Sequence, residues 1–217
     1  MPSVTRRTES TRARRRAEIE QQLLAATERL MADGFAFTEL SVDRLASAAG
    51  ISRATFYIYF EDKRQLLLKL TRQVFDELSQ AARLWWDVSE RRDPDAARRA
   101  IREIIAGYRR HQAVITAVNE LASYDSVVAE TYRNILGGIG ADGADALDRA
   151  IAAGVAAPVR SLETATALTW MVERTCHQLV RYAPPQVDDQ IAEALTEIVW
   201  RTWYLEPLSH GEPLSHG

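Results

Sequence analysis

A single cysteine, Cys176, stands in 217 residues. No disulfide can form within the chain, so a small secreted scaffold is excluded and a reducing compartment is expected. No apolar run approaches the roughly 18 residues that a membrane span requires, so no membrane partner is expected. The arginine-rich start has no apolar stretch behind it of the kind a secretory signal carries, and the cytoplasm is the expected location. No segment alternates apolar and polar residues in the manner of a strand. Glycine-rich phosphate loops, nucleophile elbows and Cys/His constellations are lacking too, so nothing points to catalysis and no cofactor is called for. Glu173 and His177 lie four apart on a predicted helix, a spacing that suits two metal ligands. No third ligand stands at a motif-like distance, so no metal site is expected.

Hydrophobic residues make up 47% and charged residues 26%, the balance of an ordinary globular chain long enough for one or two domains. The net charge of −3 is unevenly placed. Residues 1–70 hold 12 Lys and Arg against 9 Asp and Glu, a balance of +3, which leaves 15 against 21, or −6, for the rest. Six arginines (Arg6, Arg7, Arg12, Arg14, Arg15, Arg16) and one acid, Glu9, fall within residues 1–17. A basic head on an acidic body suits a protein whose front end meets a polyanion, although a short charge run can equally be a solvated tail.

Apolar spacing predicts helices nearly throughout. Ile19, Leu23, Ala26 and Leu30 form one stripe on a helix from about Arg14 to Met31, which Asp33-Gly34 ends. Ser41 is placed to cap a short helix carrying Val42, Leu45, Ala46 and Ala49, and Gly50 stops it. Ser52 opens a third helix with Phe56, Tyr59 and Phe60, and Asp62 with Gln65 resembles a capping box for a fourth helix reaching about Val88. After Arg91-Arg92-Asp93-Pro94 the helical pattern resumes. Residues 125–153 form one long candidate helix containing Gly137, Gly138, Gly140 and Gly143, which either widen a cavity or bend the helix. Two further helices, at about 161–182 and 187–205, flank Pro184-Pro185. Residues 206–211 and 212–217 repeat Glu-Pro-Leu-Ser-His-Gly and are expected to be a disordered tail.

Ala46 and Gly50, four apart and surrounded by Leu45, Ala49, Ile51 and Phe56, fit two short helices that cross closely through a tight turn. That spacing also fits a plain helical hairpin. The run from Gly50 through Ile51-Ser52-Arg53-Ala54-Thr55-Phe56-Tyr57-Ile58-Tyr59-Phe60-Glu61-Asp62 to Lys63 resembles the DNA-binding signature of the tetracycline-repressor (TetR) family, as does Phe37-Thr38-Glu39-Leu40-Ser41-Val42 before it. Ala165-Thr166-Ala167-Leu168, followed by Met171, Glu173, Arg174 and Thr175, resembles the mycobacterial ethionamide-regulator branch of that family. The resemblance implies an all-α fold of about nine helices. A basic arm and three-helix helix-turn-helix domain (1–62) would precede a larger ligand-binding and dimerisation domain (63–205) and the tail (206–217). It also implies a ligand-responsive repressor of a palindromic operator.

Candidate DNA contacts follow from the third helix. Phe56 and Phe60 can point inward, leaving Ser52, Arg53, Thr55, Tyr57 and Tyr59 to face a groove. Arg53 suits a guanine edge and the Thr55 methyl a thymine. The tyrosine hydroxyls, Lys63 and Ser41 at its helix start suit phosphates, while Arg14, Arg15 and Arg16 suit the neighbouring minor groove or the backbone. Tyr57 and Tyr59 also fit half-buried packing positions. For a small hydrophobic effector, Ile104, Tyr108, Tyr132, Leu136, Ile139, Val172 and Cys176 form an apolar set with Thr169 and Glu173 as sparse polar groups. The resemblance puts most of these along the channel used in that branch. Two channel asparagines of the branch stand here as Thr169 and Val172, and a bulky aromatic as Ile139, so effector identity does not carry over. The last two helices are expected to build a homodimer, with Trp200, Trp203 and Tyr204 either anchoring the interface or covered by their own domain.

Overall fold

A computed structural model describes residues 4–204, and side chains from Arg14 onward. The expected tail at 206–217 lies outside the described residues. Among these, the fold is all-helical with no strand. Nine α-helices follow in order: α1 (Val4–Ala32), α2 (Val42–Ala48), α3 (Arg53–Tyr59), α4 (Lys63–Trp86), α5 (Pro94–Arg110), α6 (Gln112–Ala122), α7 (Ser126–Ala152), α8 (Ser161–Thr175) and α9 (Asp188–Tyr204). Short 3-10 turns occupy Phe37–Glu39, Ser89–Arg91 and Pro185–Val187, and a π-turn, Cys176–Val180, extends α8.

Local chemistry sets the helix ends. Ser41 Oγ accepts from Arg44 N at 3.2 Å and Ser52 Oγ from Thr55 N at 3.0 Å, so both expected N-caps are formed. Gly50 turns the chain between α2 and α3 at φ +71°, a left-handed conformation that glycine adopts without steric penalty. Asp62 Oδ1 accepts from Gln65 N at 2.8 Å, while Gln65 Oε1 reaches back to Glu61 N at 3.1 Å, one residue earlier than a capping box requires. Asp125 caps α7 by accepting from Val127 N and Val128 N at 3.0 and 3.2 Å. These bonds, Val128's first, hold its carboxyl below the ordinary aspartate range, and Arg64 at 3.3 Å adds to the effect. Helix α1 begins ten residues before the expected start at Arg14. Arg14 meets Glu18 and Arg16 meets Glu20, the i,i+4 pairs that stabilise a helix.

The chain forms two compact units. One takes the described residues up to Val74 together with His111–Tyr132, and the other takes Phe75–Arg110 with those from Arg133 onward, so the boundaries fall inside α4, between α5 and α6, and inside α7. The first unit centres on Leu23, Phe37, Leu40, Leu45, Phe56 and Leu66, all essentially inaccessible. Arg29 Nη2 donates to Ala48 O at 2.7 Å and closes the C-terminal end of α2. Glu20, buried on α1, meets Arg16 at 3.0 Å, Gln73 at 3.2 Å and Lys69 at 3.7 Å.

The second unit packs α5 along α9 around Trp85, Ala97, Ala100, Leu147, Val199 and Trp200. Trp203 is only 2% exposed and packs at a tilt against Trp85, ring centroids 4.6 Å apart, while Tyr204 donates to Ser89 O at 2.6 Å. Trp200, Trp203 and Tyr204 are therefore covered by their own unit. A two-pronged bond from Arg109 to Asp188 (2.6 and 3.1 Å) and the pair Arg102–Asp189 (2.9 Å) fasten the polar edges of α5 and α9.

Candidate nucleic-acid interface and ligand cavity

Helix α3 buries Phe56, and its C-cap Phe60 is buried too, which turns the other positions outward. Ser52 and Arg53 are exposed, Tyr57 is exposed, and Thr55 and Tyr59 are half-buried. Ser52 Oγ and Thr55 Oγ1 share a hydrogen bond of 2.8 Å. Arg53 pairs with Asp43 of α2 and donates to the Tyr57 hydroxyl at 3.4 Å; Asp43 and then Tyr57 favour its charged form. All of these partners are exposed, so the guanidinium fork is held in place yet open to solvent on one side. Ser41 is exposed at its cap, as are Arg14, Arg15 and Arg16, which lie within α1 and not on a separate arm.

Ile58 was missed in the sequence and is 75% exposed. It lies two residues after the buried Phe56, about 200° around the helix, and that spacing turns it to solvent. Lys63, expected to meet a phosphate, is half-buried. Its ammonium donates to Thr38 O at 2.6 Å, Leu40 O at 3.1 Å and Phe37 O at 3.4 Å, all backbone carbonyls, and partial burial lowers its proton affinity.

The second unit contains a cavity of about 100 Å³. Of the nine residues expected to face an effector, Ile104, Tyr108, Leu136 and Ile139 line it from α5 and α7, and Thr169, Val172, Glu173 and Cys176 from α8 and its π-turn. Tyr132 does not join them. It belongs to the first unit, where its hydroxyl accepts from Asn119 Nδ2 at 3.2 Å. Sequence reading overlooked the α4 wall, which contributes Phe75, Trp85 and Trp86. Their spacing fits ordinary core, and only tertiary packing separates core from cavity wall.

Polar groups gather at one side. The Tyr108 hydroxyl and His177 Nδ1 lie 3.2 Å apart. Burial, followed by the nearby Cys176 and Glu173, raises the Tyr108 pKa. The Cys176 thiol is pushed up to about 12 by burial and then by Glu173, so both groups are neutral at physiological pH. Thr169 Oγ1 donates to Ala165 O of its own helix at 2.9 Å. Glu173 is the only charged residue of the lining and its side chain is 4% exposed; Arg174 Nε lies 3.7 Å from its carboxylate. Among the described residues no three His, Cys, Asp or Glu side chains converge as a metal site, and no helix is long and apolar enough to cross a membrane.

Two of the four α7 glycines have a packing reason. A Cβ at Gly140 would stand 3.0 Å from Thr166 Cα and 2.8 Å from its Oγ1, so glycine lets α8 approach. A Cβ at Gly143 would lie 3.2 Å from Trp86, an aromatic wall of the cavity. Gly137 and Gly138 face open space, and α7 runs through all four as one helix.

Residues 23–70 match the family described as bacterial regulatory proteins, tetR family, and residues 97–204 match the C-terminal domain of the transcriptional regulator EthR. The chain is 33% identical over 187 residues to the HTH-type transcriptional regulator EthR of Mycolicibacterium smegmatis, covering 83% of each protein. It is 32% identical over 188 residues to that of Mycobacterium tuberculosis, covering 84% of this chain and 85% of the relative. Among solved structures, a TetR-family regulator from Mesorhizobium loti aligns with a TM-score of 0.66 at 18% identity, over 88% of this chain and 98% of that one. PfmR from Thermus thermophilus aligns with a TM-score of 0.62 at 20% identity, over 82% and 97%. These two similarities concern the fold.

Proposed function

The chain belongs to the tetR family of bacterial regulatory proteins and is a DNA-binding transcriptional regulator; from that premise we propose that it is a homodimeric repressor of a palindromic operator, released when a small apolar molecule fills the cavity of the second unit. The observation that carries the reading is the outward edge of α3, where Arg53, Tyr57 and Ile58 are exposed on a helix anchored by Phe56 and Phe60. Arg53 reads a guanine edge after leaving Asp43, and Thr55 and Ile58 meet thymine methyls. Tyr57, Tyr59, Ser52 and Ser41 bind phosphates and set the register, with Arg14, Arg15 and Arg16 of α1 on the flanking backbone.

Dimerisation uses α8 and α9, whose segment leaves Leu162, Leu179 and Ile198 about half exposed. Two copies double the bases read and demand an inverted repeat. The effector occupies walls of Trp85, Trp86, Phe75 and Trp203 with its body and meets Glu173 at its polar end. Because the lining holds one carboxylate and no basic side chain, a neutral or cationic head is favoured and an anionic one disfavoured. Coupling runs through α4, whose first half belongs to the DNA-binding unit and whose second half lines the cavity. To carry the population from 1:99 to 99:1 the effector must bind the released form roughly 10⁴-fold more tightly.

The test is linkage. A hydrophobic compound that raises the melting temperature of the free protein should weaken binding to its selected duplex over the same concentration range. A compound that stabilises the protein and leaves DNA affinity untouched contradicts the effector role.

A further inference from the structure

Lys63 is the first residue of α4. A helix start carries partial positive charge and disfavours a cation, so a lysine there needs acceptors of its own. The ammonium has three N–H donors, and three carbonyls take them: Thr38 at 2.6 Å, Leu40 at 3.1 Å and Phe37 at 3.4 Å. These belong to the 3-10 turn Phe37–Glu39 and its following residue, and the Phe37 carbonyl also accepts the turn's own bond from Leu40 N at 3.1 Å. Phe37 and Leu40 are each 1% exposed, so the turn is fixed in the core on its apolar side and by the ammonium on its polar side. Leu40 directly precedes Ser41, the N-cap of α2, and α2 in turn packs against α3 and supplies Asp43 to Arg53. A phosphate could recruit this ammonium only by taking a donor from a carbonyl.

We propose that Lys63 is a positioning residue for DNA binding: its ammonium ties the start of α4 to the Phe37–Leu40 turn, thereby setting α2 and α3, and neutralises no phosphate itself. The role rests on the reading of α3 as the DNA-facing helix. It differs from the phosphate contact expected of Lys63 from sequence, and the two roles predict opposite behaviour for arginine. A guanidinium keeps the charge, yet its planar fork cannot reproduce a three-way ammonium cap.

The experiment uses full-length protein and a duplex that the wild type has selected from a random-sequence pool. Affinity is measured for wild type, Lys63→Met and Lys63→Arg from about 50 to about 200 mM KCl. Both variants are expected to bind roughly tenfold or more weakly, the scale of lost charge-assisted hydrogen bonds, with salt slopes parallel to wild type. Free of DNA, the Leu40 amide, which donates to Phe37 O at 3.1 Å, should exchange faster in both variants. Lys63→Arg binding like wild type, or a Lys63→Met slope shallower by about 0.9 per protomer, would overturn the assignment. If Lys63→Met does not fold, Lys63→Arg decides alone. If the wild type selects no duplex, the α3 reading falls and the DNA role of Lys63 with it; a normal wild-type selection with an unchanged Leu40 exchange rate removes only the latter.

Discussion

The unit that carries α3 and the unit that carries the cavity place their polar groups differently. In the first, the side chains that cap α2, α3 and α4 act at short range along the chain: Ser41 on Arg44, Ser52 on Thr55 and Asp62 on Gln65. Each bond closes a helix end, and together they leave one edge of α3 in solvent. In the second, most of the wall is apolar, and the few polar groups come from distant elements, such as Tyr108 of α5 against His177 of the π-turn. The first arrangement presents hydrogen-bonding groups to a polar partner; the second withholds them from all but an apolar one. The difference teaches that the exposed edge of α3 depends on local caps and the cavity on long-range packing, so separate substitutions should break them.

The largest effect is expected from Trp203→Ala. Removing an indole that is 2% exposed and packed against Trp85 should destabilise the chain by about 3–5 kcal/mol, measured by chemical denaturation. A loss near zero would mean that the wall is not part of the core. Next in size, Arg53→Ala should remove about 1–3 kcal/mol of discrimination at one base pair. Its pair with Asp43 is exposed, so stability should change little. Competition with single-mismatch duplexes measures the first effect and a melting curve the second. Unchanged preference at every position removes Arg53 from base reading.

Both units were unequally legible in the sequence, for that same reason. Helix number, the Ser41 and Ser52 caps and the Gly50 turn rest on neighbours within four residues, so spacing exposed them. Eight of nine expected cavity residues line the cavity because the α5, α7 and α8 stripes face one interior. Tyr132 lies on the α7 stripe but before the point where that helix leaves the first unit, and no periodicity marks such a point. Lys63 reads as a surface charge because its three acceptors are backbone atoms about 25 residues earlier. Glu20 likewise meets Gln73 and Lys69 across some 50 residues, and Arg109 meets Asp188 across 79. The π-turn at Cys176–Val180 has no composition cue at all.

The glycines of α7 offer a finer comparison. Gly137→Ala and Gly138→Ala should each stabilise by about 0.5–1 kcal/mol, since the new methyl meets open space and the helix gains propensity. Gly140→Ala should destabilise, because the methyl meets the α8 backbone at Thr166. Equal signs at all three positions would contradict the packing between α7 and α8. Smallest at neutral pH are the titration effects. The depressed Asp125 carboxyl contributes stability above its unfolded pKa, and that contribution is lost as pH falls through the lower folded value. Asp125→Asn should therefore flatten the acid limb of the stability curve. Cys176, raised to about 12, contributes in the opposite direction. Its contribution is complete below the ordinary thiol pKa and lost as pH rises through the folded value, so thiol reagents at pH 8 should label it only after unfolding.

The central claim is that the solvent-facing edge of α3 reads DNA in two symmetry-related copies. Wild type and a Thr55→Ala, Tyr57→Phe double variant should be used to enrich duplexes from the same random pool, with melting temperatures measured in parallel. The wild type should enrich an inverted repeat with half-site centres about one helical turn apart, and the double variant, with its melting temperature little changed, should lose that enrichment. A motif without two-fold symmetry, or the same motif enriched equally by both proteins, would contradict it.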